Sequence, residues 1–320
     1  MKMEWVKRLL SGDHFAASKL ISMIENKPSK TPEIMRSIHP HTGSARIIGF
    51  TGPPGVGKST LVDRFIYIAC AKNIKTGVIA IDASSPFTGG ALLGDRIRMG
   101  DYSDKEGVFI RSMGTRGHMG GLAEASRGAV KILDAFGCDL ILVETVGVGQ
   151  SELDIVKEVD TVIVATMPGT GDYVQTMKAG IMEIADIFVV NKADLPGVDL
   201  VCMEIEKILD IASKDNAWRP PVIKTCATKG DGLKDLWEAV DSHRAFLEEE
   251  GRLEERRKAQ IREEIGDLVL RRLKEEFWST WYEEAKILEL VDRVFSREID
   301  LYSARDLILE RIKREMRRPF

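Results

Sequence analysis

One octapeptide restricts the possible folds of this chain more than any other feature. Gly52-Pro53-Pro54-Gly55-Val56-Gly57-Lys58-Ser59 fits the pattern G-x-x-x-x-G-K-[ST], and it stands between an apolar run, RIIGF, and a helical run, TLVDRFIYIAC, that begins at Thr60. A strand, a glycine-rich turn and a helix in that order build a cradle for phosphate. The glycines let successive backbone N–H groups converge on one point, and the helix start adds the positive end of its dipole. In such a cradle Gly52 to Thr60 are candidate nucleotide contacts. Lys58 would neutralise charge on the β- and γ-phosphates. Ser59 would offer its hydroxyl to Mg²⁺, an oxygen-seeking cation that needs further acidic partners.

Beyond Arg46 the chain alternates short apolar runs with helical stretches: RIIGFTG, GVIAID, GVFIRS, DLILVET, TVIVATM, IFVVNKAD and PVIKTCA. Runs this continuously apolar suit strands buried on both faces, as in a parallel sheet covered by helices. The expected fold is α/β, the doubly wound, mostly parallel sheet of a P-loop NTPase with helical extensions at both ends. Residues 1–42 predict a helical N-terminal arm: Leu9, Leu10, Ala16, Ala17, Leu20, Ile21 and Ile24 recur at helical spacing, broken at Ser11-Gly12-Asp13 and stopped by Pro28. Residues 43–243 predict the nucleotide domain. From Arg244 to Phe320, 18 Lys/Arg and 19 Asp/Glu alternate with Leu, Ile, Val, Phe and Trp at helical intervals. That pattern predicts long amphipathic helices. A helical appendage outside a complete α/β core more often serves a partner or a second copy, so residues 244–320 are read as a dimerisation extension.

Composition excludes several alternatives. The whole chain carries 46 Lys+Arg against 50 Asp+Glu, a formal charge of −4, so no overall basic field asks for nucleic acid or an anionic membrane surface. Cys70, Cys138, Cys202 and Cys226 lie far apart without a C-x-x-C pair. They fit a reducing compartment better than a disulfide framework or a zinc site. The charged N-terminus has no apolar core of a secretion signal, and no segment approaches the ~20 apolar residues of a membrane span. A cytoplasmic location without membrane contact is the expectation.

Asn191-Lys192-Ala193-Asp194 follows the strand IFVV and matches the N-K-x-D guanine-reading signature of P-loop GTPases. A carboxylate at Asp194 can accept from both N1–H and the exocyclic amine of guanine, whereas adenine offers neither donor there. Binding ATP would leave that carboxylate, read as buried, without a partner. GTP is therefore preferred over ATP. The ordinary alternative is an Asn and an Asp that only close a strand-to-helix turn. Further on, Cys226-Ala227-Thr228 after PVIKT resembles the last GTPase loop, whose backbone amides approach the guanine oxygen, although Cys-Ala replaces the usual Ser-Ala.

Glu144-Thr145-Val146-Gly147 ends the strand DLILV, where most small GTPases carry D-x-x-G. Asp82 closes GVIAI and Asp95 lies in SSPFTGGALLGDRIRM, so Asp82, Asp95 and Glu144 are candidate Mg²⁺ partners with Ser59, directly or through water. Each acid alone could instead cap a helix. Thr88-Gly89-Gly90 and Gly94 suit a loop that orders around metal and γ-phosphate. Arg96 and Arg98 in that loop could reach transition-state charge or form ion pairs, and the residues do not decide between these. Val148, not a water-orienting Gln, follows Gly147, which predicts slow intrinsic hydrolysis; Gln150 comes three residues after Gly147. A second glycine-rich loop, Thr166 to Lys178, ends in a lysine that could be delivered to the phosphates or could be a solvated helix lysine.

Taken together, GPPGVGKST, DASSPFTGGALLGDRIRM, ETVGVGQSE, PGTGDYVQTMKAGIMEIADI and NKAD closely resemble the MeaB family, GTPases associated with methylmalonyl-CoA mutase, also called ArgK-type transport kinases. The Glu of E-x-x-G resembles the form found in metallocentre-assembly GTPases. The resemblance covers nearly the whole chain and implies a homodimer built through the C-terminal helices. It also implies a GTP-dependent chaperone that gates cofactor loading in an adenosylcobalamin enzyme and protects or rescues it. By that resemblance Ser59, Asp82, Asp95 and Glu144 match the metal motif, and Lys178 matches a switch lysine implicated in hydrolysis. Three other readings compete. A nickel-insertion GTPase is disfavoured, because His14, His39, His41, His118 and His243 are scattered and no paired Cys ligands occur. A transport-linked kinase would need an acceptor site and tolerance of ATP, against which NKAD speaks. A scaffold that binds GTP without turnover would be separated by measuring hydrolysis.

Overall fold

The computed structural model describes residues 2–82, 107–114, 119–145, 159–169, 182–212, 217–277 and 284–316. All seven expected strands form: β1 (Arg46–Thr51), β2 (Thr76–Asp82), β3 (Val108–Gly114), β4 (Leu140–Glu144), β5 (Thr161–Thr166), β6 (Ile187–Val190) and β7 (Val222–Lys224). They make one sheet in the order β3-β2-β4-β1-β5-β6-β7, and every pairing is parallel. Parallel strands need crossovers, and among the described residues the helices Lys58–Ala71, Met119–Ala135 and Val198–Ala212 lie in those that follow β1, β3 and β6. Around the sheet lie α1 (Lys2–Leu10), α2 (His14–Asn26), α3 (Thr31–Ile38), α4 (Lys58–Ala71), α5 (Met119–Ala135), α6 (Val198–Ala212) and α7 (Leu233–Glu248). The chain divides into two compact units, Met1–Arg257 and Lys258–Phe320.

In the first unit, side chains alternate between the two faces of each strand. Ile79, Ile141, Val143, Val162, Val164, Phe188 and Val190 join one buried cluster with α1, α2, α3, α5 and α6. Ile48, Phe50, Val78, Ala80, Leu142, Ile163 and Val189 join a second with α4 and α7, where Phe65 meets Phe50 edge-on at 5.2 Å and Trp237 at a tilt at 5.3 Å between ring centroids. The apolar-throughout strands follow from this, because both faces exclude water. The N-terminal arm is part of the first cluster: Leu9, Ala16, Ala17, Leu20, Ile21 and Ile24 are buried, while Leu10, grouped with them by spacing, points outward at 39% exposure. Asp13 explains the break between the first two helices, since its carboxylate accepts from the amides of Phe15 (2.8 Å) and Ala16 (3.3 Å). Such a cap stabilises by about 1 kcal/mol.

At the N-terminal ends of the strands, charge replaces apolar packing. α8 (Arg252–Glu276) opens with two arginines that each grip an aspartate preceding a strand. Arg256 donates to both oxygens of Asp186 at 3.0 and 2.8 Å, and Arg257 to both oxygens of Asp160 at 2.8 Å. Asp160 also accepts from the Ile47 amide at 3.0 Å, and Asp186 from the Val162 amide at 2.7 Å. Buried His243 sits between Asp186 (3.3 Å) and the Thr161 hydroxyl (2.9 Å). The Asp186 carboxyl lies below its ordinary value: burial pushes it up, but the His243 hydrogen bond and the Arg256 charge outweigh that. Hydrogen bonding to Asp160 likewise raises Arg257.

The second unit continues α8 and adds α9 (Glu284–Phe295) and α10 (Leu301–Met316). Asp300 caps α10 through the amides of Tyr302 (2.8 Å) and Ser303 (3.1 Å). No residue of α8 is buried, and Ile261, Ile265 and Leu268 form an exposed apolar row at helical spacing. Among the described residues no helix is long and apolar enough to cross a membrane. The four cysteines are unpaired, and burial pushes the Cys138 thiol up to about 12.

Candidate functional site

Phe50 of β1 pairs with Glu144 of β4, and Val190 of β6 with Thr166 of β5 and Lys224 of β7. That register gathers the expected motifs at the carboxyl ends of the central strands, where ligands of open α/β sheets bind. The loop 52–57 turns tightly out of β1 and delivers Lys58 as the first residue of α4. Gly52 has φ +136°, and a Cβ there would stand 2.0 Å from the Ala165 carbonyl oxygen; Gly57 has φ +94°, and its Cβ would meet the Asn191 amide nitrogen at 2.5 Å. Only glycine fits either position. Val56 anchors the tip by burying its side chain, whereas Pro54 and Gly55 are exposed and Pro53 and Thr60 half-buried.

Lys58 is buried, and its ammonium curls back to donate to the Gly52 and Pro53 carbonyl oxygens at 2.7 and 3.0 Å. Ser59, on the next position of α4, donates to Glu144 Oε1 at 2.6 Å. Two residues expected to share a cation are thus in direct contact across 85 positions of sequence. A hydroxyl and a buried carboxylate beside a phosphate loop are hard oxygen donors, a set whose chemistry fits Mg²⁺. Asp82 is the last residue of β2, opposite Gly114. Its side chain lies outside the described residues, as do Asp95, Lys178, Arg96, Arg98, Gly147, Val148, Gln150 and the segment 88–94.

The base-reading candidates form one connected group. Asn191 donates through Nδ2 to the Val56 carbonyl at 2.7 Å, while its Oδ1 accepts from the Thr225 hydroxyl (3.0 Å) and the Ala227 amide (3.1 Å). Lys192 takes a left-handed backbone, φ +57°, and the next amide, Ala193, donates to Thr225 O at 2.9 Å. The Asp194 side chain is 40% exposed. The Cys226 thiol, 3.3 Å away, and the Lys229 ammonium, at 3.2 Å, both donate to it and hold its carboxyl below the ordinary range. Cys226 and Ala227 are buried, Thr228 is exposed, and the loop is closed by Lys229 and Gly230 amides donating to Cys226 O at 2.9 Å.

Sequence reasoning missed three participants. In the sequence Thr225 reads only as the end of a strand, and Lys229 follows the Cys-Ala-Thr tripeptide without a motif of its own. Arg64 of α4 donates to the Ala227 and Thr228 carbonyl oxygens at 2.8 and 2.9 Å. Its partners lie more than 160 positions away, so no local pattern points to it.

A family model described as methylmalonyl Co-A mutase-associated GTPase MeaB matches residues 17–281. A protein of Pyrococcus abyssi (strain GE5 / Orsay) named as a GTPase is 52% identical, over 97% of this chain and 96% of its own. GTPase ArgK of Escherichia coli (strain K12) is 34% identical over 84% of this chain and 85% of its own. The mitochondrial methylmalonic aciduria type A homolog of Mus musculus is 31% identical over 83% and 65%. Among solved structures, an LAO/AO transport system kinase superposes with a TM-score of 0.77 at 25% identity, covering 98% of this chain and 97% of that one.

Proposed function

The chain belongs to the MeaB family of P-loop GTPases, and on that premise we propose that it couples GTP hydrolysis to the care of an adenosylcobalamin-dependent acyl-CoA mutase. Methylmalonyl-CoA mutase is the client that the family description names, and the match across residues 17–281 is the observation that carries the proposal. The chain acts as a chaperone: its nucleotide state changes its affinity for the mutase, and so gates cofactor loading, protection or reactivation.

In this reading Gly52 to Thr60 wrap the phosphates, and Lys58 exchanges its two loop carbonyl partners for β- and γ-phosphate oxygens. Ser59 and Glu144, with Asp82 and Asp95 as the family motif implies, hold Mg²⁺, which when bound neutralises phosphate charge and fixes phosphate orientation. Asp194 accepts from the guanine edge, Asn191 and Lys192 complete the base-reading group, and Cys226, Ala227 and Thr228 border the base. Lys178, by the same motif, brings positive charge to where negative charge develops in the transition state. Without a water-orienting Gln after Gly147 intrinsic turnover is slow, and contact with the mutase accelerates it.

The working unit is a homodimer formed through residues 244–320. The exposed row Ile261, Ile265 and Leu268 supports this, since apolar rows of this kind mark helix–helix contacts. Binding of the purified mutase to the full chain in GDP and in a non-hydrolysable GTP analogue tests the coupling. Mutase affinity that differs between the two nucleotides supports it, and equal affinity removes the chaperone reading while leaving the GTPase intact.

A further inference from the structure

The guanine end of the site holds a contact that neither the phosphate loop nor the NKAD tetrapeptide explains. Arg64 lies on α4, six positions beyond Lys58, and reaches across to the loop after β7. Its Nε donates to Ala227 O at 2.8 Å and its terminal nitrogen to Thr228 O at 2.9 Å. Two donors of a planar guanidinium on two successive carbonyls fix the planes of both peptides. In a trans peptide the C=O and the following N–H point in opposite directions. Drawing Ala227 O towards α4 therefore turns the Thr228 N–H away from α4. The two neighbouring amides have other uses: Ala227 N–H donates to Asn191 Oδ1 at 3.1 Å, and Lys229 N–H to Cys226 O at 2.9 Å. The loop also borders Asp194 through the Cys226 thiol and the Lys229 ammonium.

We infer that Arg64 is a positioning residue for guanine recognition, which acts through the peptide between Ala227 and Thr228 and aims its N–H at the carbonyl oxygen O6 of the base. The inference rests on reading Asn191 to Asp194 and Cys226 to Thr228 as the base site. It adds a direct tie between the helix that begins at the phosphate loop and the loop that faces the base, so the two ends of the nucleotide are held by one rigid element.

Purified full-length R64M and R64K, with D194N alongside, would be titrated with GDP, IDP and the diphosphate of 2,6-diaminopurine riboside. GDP and IDP share O6 and differ in the 2-amino group; the diaminopurine keeps the 2-amino group and carries an amine in place of O6. R64M should weaken GDP and IDP together by about ten-fold, leave their ratio unchanged and leave the diaminopurine nucleotide nearly unaffected. R64K, with a single donor, should give the same pattern at smaller size, and it carries the test if R64M does not fold. Arg64 variants that weaken all three nucleotides alike, or none of them, would overturn the inference. D194N should change the GDP-to-IDP ratio; if it does not, it is the base-site reading that fails.

Discussion

The side-chain amide of Asn191 donates to the carbonyl oxygen of Val56 at 2.7 Å, so the first residue of the base-reading tetrapeptide also fastens the tip of the phosphate loop. With the Thr225 hydroxyl and the Ala227 amide on its other oxygen, Asn191 joins three loops that meet nowhere in the sequence. N191A would leave a buried carbonyl, hydroxyl and amide without this partner, at about 2–3 kcal/mol in nucleotide affinity. Release of a fluorescent GDP analogue should be accelerated by one to two orders of magnitude. A release rate equal to wild type would show that the three loops hold their places without it.

Lys58 and Ser59 are predicted to separate binding from chemistry. K58A should abolish productive GTP turnover. S59A removes the hydroxyl, and E144Q the negative charge, from a pair of oxygen donors that stand 2.6 Å apart. Each should lower kcat roughly 100-fold and shift the Mg²⁺ concentration required for turnover upward. Turnover with an unaltered Mg²⁺ profile in both variants would remove this pair from the cation site.

Base selectivity is predicted to reside in Asp194, whose carboxylate is held by Cys226 and Lys229. D194N exchanges an acceptor for a donor and should shift preference from guanine to xanthine nucleotides, which present a carbonyl at position 2. Competition between GDP and XDP reads this directly, and a preserved preference for GDP would exclude Asp194 from base reading.

The charged root of α8 makes a stability prediction. R257M takes the two-pronged cationic partner from Asp160, whose side chain is 2% exposed and among the described residues keeps only the Ile47 amide and Arg244 at 3.8 Å, and should cost about 3 kcal/mol in denaturant unfolding. Asp186 adds a pH signature. Because its folded-state carboxyl is depressed below 3.8, the stability it contributes is fully present above that pH and is lost as pH falls through the lower folded-state value. The stability gap between wild type and D186N should therefore be widest near neutrality and close in acid. A gap constant down to about pH 3 would contradict the assignment.

Much of this was legible in the sequence, and the exceptions share a cause. Runs such as LILVE and TVIVAT could be read as strands because a parallel sheet covered on both faces demands unbroken apolar residues, and GPPGVGKS because the phosphate cradle is local. Asp13 closed the first helix break by a cap three residues long. By contrast, Arg64 on Ala227, Arg257 on Asp160 and Arg256 on Asp186 span 163, 97 and 70 positions. An arginine on a helix surface carries no mark of the carbonyl or carboxylate it will meet. Asn191 was recognised for the base but not as a bolt between loops, since its partners become neighbours only when β1, β6 and β7 align.

The most direct test of the whole account is steady-state GTP hydrolysis by the purified protein, measured with ATP as the comparison nucleotide and with and without an adenosylcobalamin-dependent acyl-CoA mutase from the same organism. The account predicts slow, GTP-selective turnover that rises sharply when the mutase is added. A rate and a GTP affinity that stay the same in the presence of the mutase would contradict it.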